Sequence, residues 1–289
     1  MPNSVGVNPT VDKIISTIGE LPASPAIVSA VMGMTSDLDA NVTDISRVLA
    51  ADQSLTAKVL KLSNSSFYGR SKEVKSLHEA ILILGFFTVR SMVIATSTHR
   101  MFNGGESQAA QGKLWRHTLS AAIAARQVAS QLRYPGKDEV FIAALLHDIG
   151  KLVLLQKLPA PYGKVIQKAE REHEDFYLVE KERLGFTHCD VARVLLQKWS
   201  FPESLIEAIY NHHDLPGPND DGQPPMAYII NLGNYLSKTL GVGFDDRRIE
   251  DLSGLPAAIA LGFNEESLAD LQQAFAEHYQ TEVKIFEEV

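Results

Sequence analysis

His147 and Asp148 stand side by side in the stretch EVFIAALLHDIGKLVLLQ, residues 139–156, which is otherwise almost entirely apolar. A carboxylate carried into a core costs several kcal/mol unless it meets a metal, a cation or several hydrogen-bond donors. The chain must therefore fold so that compensating groups converge on Asp148. Four more histidines lie at separations that can reach it: His117 before the pair, and His188, His212 and His213 after it.

The pattern around this pair is helical nearly throughout, which predicts an all-α fold. Ser24 can cap and Pro25 can open a helix over residues 26–34. Residues 43–51 put Ile45, Val48 and Leu49 on one stripe, and residues 55–62 do the same with Leu55, Val59, Leu60 and Leu62. The polar cluster of residues 63–66 and Gly69 breaks the chain, and Asn64, Ser65, Tyr68 and Gly69 read as a structural turn. Ser76 and Glu79 have capping-box spacing ahead of a helix over 79–84, with Gly85 separating it from 88–101.

The clearest internal seam is Asn103-Gly104-Gly105-Glu106-Ser107. It predicts an N-terminal helical lobe over residues 10–102, packed on a second helical lobe over 113–240. An acidic helical tail over 244–289 follows, with a helix near 266–278. In the second lobe, residues 114–131 carry Ser120, Ala121, Ala122, Ala124 and Ala125, small enough for neighbouring helices to come close. Residues 139–156 read as one buried helix, and 162–184 as one amphipathic helix. Helices over 188–199 and 203–211 are separated by Phe201-Pro202. A polar loop over 214–225 leads to an apolar helix over 226–239.

Composition limits the function. At 289 residues and 45% apolar content the chain can bury a large core. A net charge of −8 without a dense Lys/Arg stripe argues against nucleic-acid or membrane-surface binding. The one cysteine, Cys189, suits a reducing compartment, and it reads as a small apolar filler. The first residues lack the basic and apolar blocks of a secretion signal, and the apolar runs fall far short of the ~20 residues of a membrane span. These features together predict a cytoplasmic protein.

A water-activating metal site needs neutral imidazoles and carboxylates converging from several helices. His117 lies in the small-residue helix. His188 shares a face with Val191 and Leu195, and His213 follows Ile209 and Tyr210 by four and three residues. Asn234 is a polar interruption of the late apolar helix. His78, His99, His173 and His278 read as satisfied core histidines rather than ligands, although His173 lies in a charged run that looks like a solvated face. Such mixed nitrogen and oxygen ligation suits a divalent transition metal such as Fe, Mn, Ni or Zn.

His147-Asp148-Ile149-Gly150-Lys151 resembles the signature of the HD superfamily of metal-dependent phosphohydrolases. The span from about residue 14 to 240 resembles, more specifically, the HDOD family (HD-related output domain) of bacterial signalling proteins. That likeness rests on Leu21-Pro22-Ala23-Ser24-Pro25, Asp52-Gln53-Ser54-Leu55, the run VLKLSNSSFYG over 59–69, and Ala80-Ile81-Leu82-Ile83-Leu84-Gly85. It implies an N-terminal helical lobe packed on an HD-like lobe and a signalling role exercised on a protein partner, with no generally established catalysis. It further implies that His117, His147 and Asp148 stand where HD proteins hold a first metal, and His188, His212 and His213 where binuclear enzymes hold a second.

Asn234 stands where active HD enzymes have a closing aspartate, so one ligand charge is missing. The GYP element of cyclic-di-GMP phosphodiesterases is also absent. The alternative expectation is a metal-dependent phosphohydrolase or phosphodiesterase in which Asp148 and Lys151 are catalytic, Lys151 contacting the phosphate of a nucleotide or other phosphate ligand.

Overall fold

The computed structural model describes residues 13–14, 25–35, 42–64, 73–101, 108–217, 225–242, 249 and 251–287. Every regular element among them is an α-helix. The expected caps and turns at Ser24, Ser65, Tyr68 and Gly69, and the 103–107 seam, lie outside the described residues. By contacts the chain forms two compact units. One is Ser24–Met101 with His278–Val289, and the other is Met1–Ala23 with Phe102–Glu277.

The first unit holds α1 (Ala26–Thr35), α2 (Val42–Ala50), α3 (Gln53–Ser63), α4 (Leu77–Leu84) and α5 (Phe86–Met101). Asp52 caps α3 by accepting from the Leu55 amide, and Ser76 caps α4 by accepting from the Glu79 amide. The apolar stripes meet in one cluster that includes Val31, Ile45, Leu49, Leu55, Val59, Ala80, Ile81 and Met92. Asn64 ties this unit together. Its amide nitrogen donates to the Leu60 and Val74 carbonyls, and its carbonyl accepts from the Val74 amide at 2.7 Å.

The second unit continues with α6 (Gln108–Gln131), α7 (Lys137–Leu146), α8 (Ile149–Lys157), α9 (Pro159–Glu172), α10 (Phe176–Leu184), α11 (His188–Lys198), α12 (Glu203–Tyr210), α13 (Met226–Lys238), α14 (Pro256–Ala260) and α15 (Glu265–Glu287), the last belonging here through Glu277. In the stretch after residue 244, Leu252, Ala257, Leu271 and Phe275 are buried. The amphipathic stretch expected as one helix over 162–184 is two, α9 and α10. Between them His173 takes a left-handed backbone conformation with φ 57°, and Asp175 caps α10 by accepting from the Tyr177 amide.

Small residues set the spacing here, as the alanines of α6 predict. α6 and α13 pack so closely that a Cβ on Gly233 would lie 2.7 Å from the Ala125 side chain. α8 crosses α11 closer still, for a Cβ on Gly150 would meet the His188 carbonyl oxygen at 1.9 Å. Any larger residue at position 150 would push the helix that follows Asp148 away from the helix that begins at His188. Among the described residues, no single helix is long and apolar enough to cross a membrane.

Candidate metal centre

The buried stretch around Asp148 is two helices rather than the single one expected. α7 ends at Leu146, α8 begins at Ile149, and the chain turns between them at His147 and Asp148, the latter with φ −100° and ψ 11°. The reason lies in the pair itself. Neighbouring residues on a continuous helix do not face one another, whereas here the His147 Nε2 lies 3.4 Å from the Asp148 Oδ2.

Three further groups reach the same carboxylate. His117 Nε2 lies 3.6 Å and Lys151 Nζ 2.9 Å from Oδ2, and His188 Nε2 lies 3.2 Å from Oδ1. His212 and His213 complete the array. Ring centroids are 5.5 Å apart for His117–His147, 4.9 Å for His147–His212, 5.4 Å for His188–His212 and 4.3 Å for His212–His213. Three imidazoles, from α6, the α7–α8 turn and α11, thus converge on one carboxylate, and two more from just beyond α12 pack against them. His147, Asp148, His188 and His212 are all 0% exposed.

The outer nitrogens of these rings are held by oxygens. His147 Nδ1 meets the Ala144 carbonyl and His212 Nδ1 the Ile209 carbonyl, each at 2.6 Å. His188 Nδ1 meets Glu180 Oε2 at 2.6 Å, and the same oxygen accepts from the His188 amide. His117 Nδ1 lies 3.3 Å from the Val242 carbonyl and 3.2 Å from the Ser237 hydroxyl. A carbonyl or carboxylate oxygen only accepts, so it fixes the proton on Nδ1 and turns the Nε2 lone pair inward. This is how proteins orient histidine ligands for a metal.

Several buried polar atoms of these residues lack a hydrogen-bond partner. His147 Nε2, His212 Nε2, His213 Nε2, Asn234 Oδ1 and Asp148 Oδ1 are buried without a hydrogen-bond partner. The 3.2 Å approach of His188 to Asp148 Oδ1 is close enough for an ion pair but lacks hydrogen-bond alignment. Leaving one such group unsatisfied costs about 1–3 kcal/mol. A cluster of lone pairs facing one another is what a cation would relieve. Two sets of donors lie close enough to share an ion: His117, His147 and Asp148, and His188, Cys189 and His212. The residues present fit a divalent metal.

Electrostatics favour neutral rings at four of the five histidines. Burial lowers His117 to about 3 and His147 to about 4, and it pushes His212 and His213 well below the ordinary imidazole value, so all four rings are neutral. His188 is the exception. Burial opposes its charge, but Cys189 and the Glu180 carboxylate outweigh that and raise it. Burial alone would raise Asp148, yet His147, Lys151, His188 and His117 hold it well below the usual carboxylate range. Of these, Lys151 is the fixed positive charge. It is itself 7% exposed, sits 5.5 Å over the Phe176 ring, and is raised by Asp148 and Glu180 against the opposing effect of burial.

The family model described as the HDOD domain matches residues 21–215, well over half of the chain. The chain belongs to the HDOD family. Its fold is similar to that of an HDOD domain protein of unknown function from Geobacter sulfurreducens, at 24% identity and a TM-score of 0.77, covering 96% of this chain and 95% of that one. It is also similar to a candidate phosphohydrolase from Shewanella amazonensis SB2B, at 23% identity, TM-score 0.73 and coverage of 95% and 97%. A curated relative from Treponema pallidum, an uncharacterized protein, is 21% identical over 217 residues, and the aligned part spans 75% of this chain but 42% of that protein.

In this HDOD chain the fold brings together His117, His147, Asp148, Lys151, His188, His212 and His213. Asn234 lies on α13, 2% exposed, one turn before the Ser237 hydroxyl that touches His117. His78 and His278 are exposed rather than core residues, His173 is exposed as its charged run suggests, and His99 is half-buried.

Sequence reasoning missed Glu180, which is 0% exposed and bonds both His188 and, through its other oxygen, the Tyr162 hydroxyl at 2.6 Å. One signal was present: Glu180 follows Phe176 by four residues and so shares its apolar face. Cys189, read as a small apolar filler, is 1% exposed as that reading expects, and its sulfur lies 3.5 Å from His188 Nε2 and 3.7 Å from His212 Nδ1.

Proposed function

We propose that this protein is a regulatory output module of a signalling system, which binds a divalent transition metal at the His/Asp centre as a structural or sensing element and acts through contact with a protein partner. The observation that carries this reading is the condition of Asp148. It is 0% exposed, and its Oδ2 is engaged by the Lys151 ammonium at 2.9 Å. A hydrolytic metal presents an open coordination position to water and substrate. Here the central carboxylate and three of the five rings are shut away from solvent, and the lysine that would meet a substrate phosphate is turned onto the carboxylate.

The amide at Asn234 supports the same view, because it offers a neutral oxygen where a hydrolase would gain from another anion. The competing reading, a metal-dependent phosphohydrolase acting on a nucleotide or other phosphoester, draws on the neutral rings and their inward lone pairs. Elemental analysis of the purified protein, followed by a phosphodiesterase and phosphatase screen of metal-loaded samples, separates the two. The expected outcome is near-stoichiometric metal with negligible turnover. Turnover of a few per second that is abolished by His147→Ala would overturn the regulatory reading.

A further inference from the structure

Cys189 lies beside the half of the centre formed by His188 and His212, and its sulfur is buried, the residue being 1% exposed. We propose that Cys189 is a metal ligand, completing with His188 and His212 a second, sulfur-containing position next to the one formed by His117, His147 and Asp148. This rests on the metal-binding reading above and deepens it.

The distances carry the argument. A tetrahedral metal with bonds of about 2.3 Å to sulfur and about 2.0–2.1 Å to nitrogen or oxygen separates its S and N ligands by about 3.6 Å and its N and O ligands by about 3.4 Å. Cys189 Sγ and His188 Nε2 are 3.5 Å apart, and His188 Nε2 and Asp148 Oδ1 are 3.2 Å apart. The other half has the same spacing, with His147 and His117 at 3.4 Å and 3.6 Å from Asp148 Oδ2. His188 Nε2 thus stands at ligand spacing from both the sulfur and a carboxylate oxygen.

A second observation points independently to a ligand here. Asp148 Oδ1 and His212 Nε2 are both buried without a hydrogen-bond partner, and both residues are 0% exposed. His212 Nδ1 is taken by the Ile209 carbonyl, so its free donor is Nε2. The backbone supports the placement. Thr187 caps α11 in a reciprocal capping box with Asp190, which fixes the helix turn bearing both His188 and Cys189.

The chemistry is simple. Cys189 binds as thiolate and His188 through a bare Nε2, the thiol proton and the Nε2 proton of His188 both passing to solvent as the dication enters, and no electron is transferred. A soft sulfur donor next to imidazoles shifts preference from Mn toward Zn, Co and Fe(II). The two halves of the centre therefore differ in kind, one with only nitrogen and oxygen donors and the other carrying sulfur.

Cobalt(II) tests this without any activity assay. The full-length protein is stripped with chelator, titrated anaerobically with Co(II), and its absorption compared with that of Cys189→Ser and Cys189→Ala. Wild type is expected to show a near-ultraviolet sulfur-to-cobalt charge-transfer band together with visible ligand-field bands. The variants should keep the ligand-field bands from the nitrogen and oxygen position, lose the charge-transfer band, and bind Zn(II) at the second position at least about tenfold more weakly.

Ligand-field bands in wild type without charge transfer would overturn the role of Cys189 while leaving the metal centre standing. No cobalt uptake by wild type would overturn both. Because the wild-type spectrum is decisive alone, the test does not depend on the variants folding.

Discussion

The two units differ in the chemistry of the polar groups they bury. The first is held by an apolar cluster, from Val31 and Leu49 to Ile81 and Met92, and among its described residues the buried polar ones are Ser63, Arg90, Ser91, Thr96, Ser97 and Thr98, with no acid and no histidine. The second buries a long apolar run along α7 and α8, but packs His147, Asp148, Glu180, His188 and His212 within its core, each 0% exposed. Hydrophobic burial is indifferent to protons and metals. A buried polar array is stable only while each member is satisfied, and breaking it is expensive. One unit should therefore answer to packing, and the other to charge, pH and metal.

The sharpest test removes the central charge. Asp148→Asn keeps the shape but leaves Lys151 buried without its carboxylate, and an uncompensated buried charge costs about 3–5 kcal/mol. Urea denaturation should show that loss, and the variant should bind no metal at the His117/His147 position. A variant as stable as wild type would break the contrast outright.

Leu49→Ala is its counterpart in the first unit. The fully buried Leu49 leaves a cavity costing about 2–5 kcal/mol, yet metal content per folded molecule should be unchanged. If metal content fell with it, the two units would not be chemically independent.

Acid should reach the second unit selectively. His117 and His147 are held to about 3 and about 4 when folded, while an unfolded imidazole titrates near 6.5. Between those values the unfolded chain binds more protons, so stability falls as pH drops from about 6.5 toward 4 and is level in these groups above it. By pH 5 each ring contributes a loss on the order of 2 kcal/mol in metal-free protein. Bound metal should flatten that slope, because protons must then compete with it for the rings. Denaturation at pH 5 and pH 7, with chelator and with zinc, measures both.

The smallest expected effect is at Glu180. Glu180→Gln keeps an oxygen for the Tyr162 hydroxyl but removes the charge that fixes the His188 proton on Nδ1. Metal affinity should fall about 10–100-fold with the fold retained. Isothermal titration with zinc would show it, and unchanged affinity would mean that His188 needs no carboxylate behind it.

Much of this was legible in the residue order. The stripes around Leu49 and Val59, the alanines of α6 and the inward face of His188 follow from a period of 3.6 and from residue size. Asp148 in an apolar run announced its own need for partners. Other features stayed hidden because two competing local readings were equally good. Residues 139–156 have the composition of one uninterrupted helix, and nothing nearby shows that His147 and Asp148 must face each other. Glu180 sits among Lys181, Glu182 and Arg183, where a charged residue reads as solvent-facing.

The linear order of residues thus settled the all-helical class and the inventory of donors, since both depend on side-chain chemistry and spacing within a few turns. Long-range packing settled what those donors do to one another. Gly150 lets α8 approach the backbone of His188, and that approach sets Cys189 and Glu180 against the imidazoles. Lys151, a single helical turn away, closes on the carboxylate because burial leaves its ammonium no better partner. Contacts between segments tens of residues apart are decided by which surfaces can meet without a clash, and no short window of sequence contains that information.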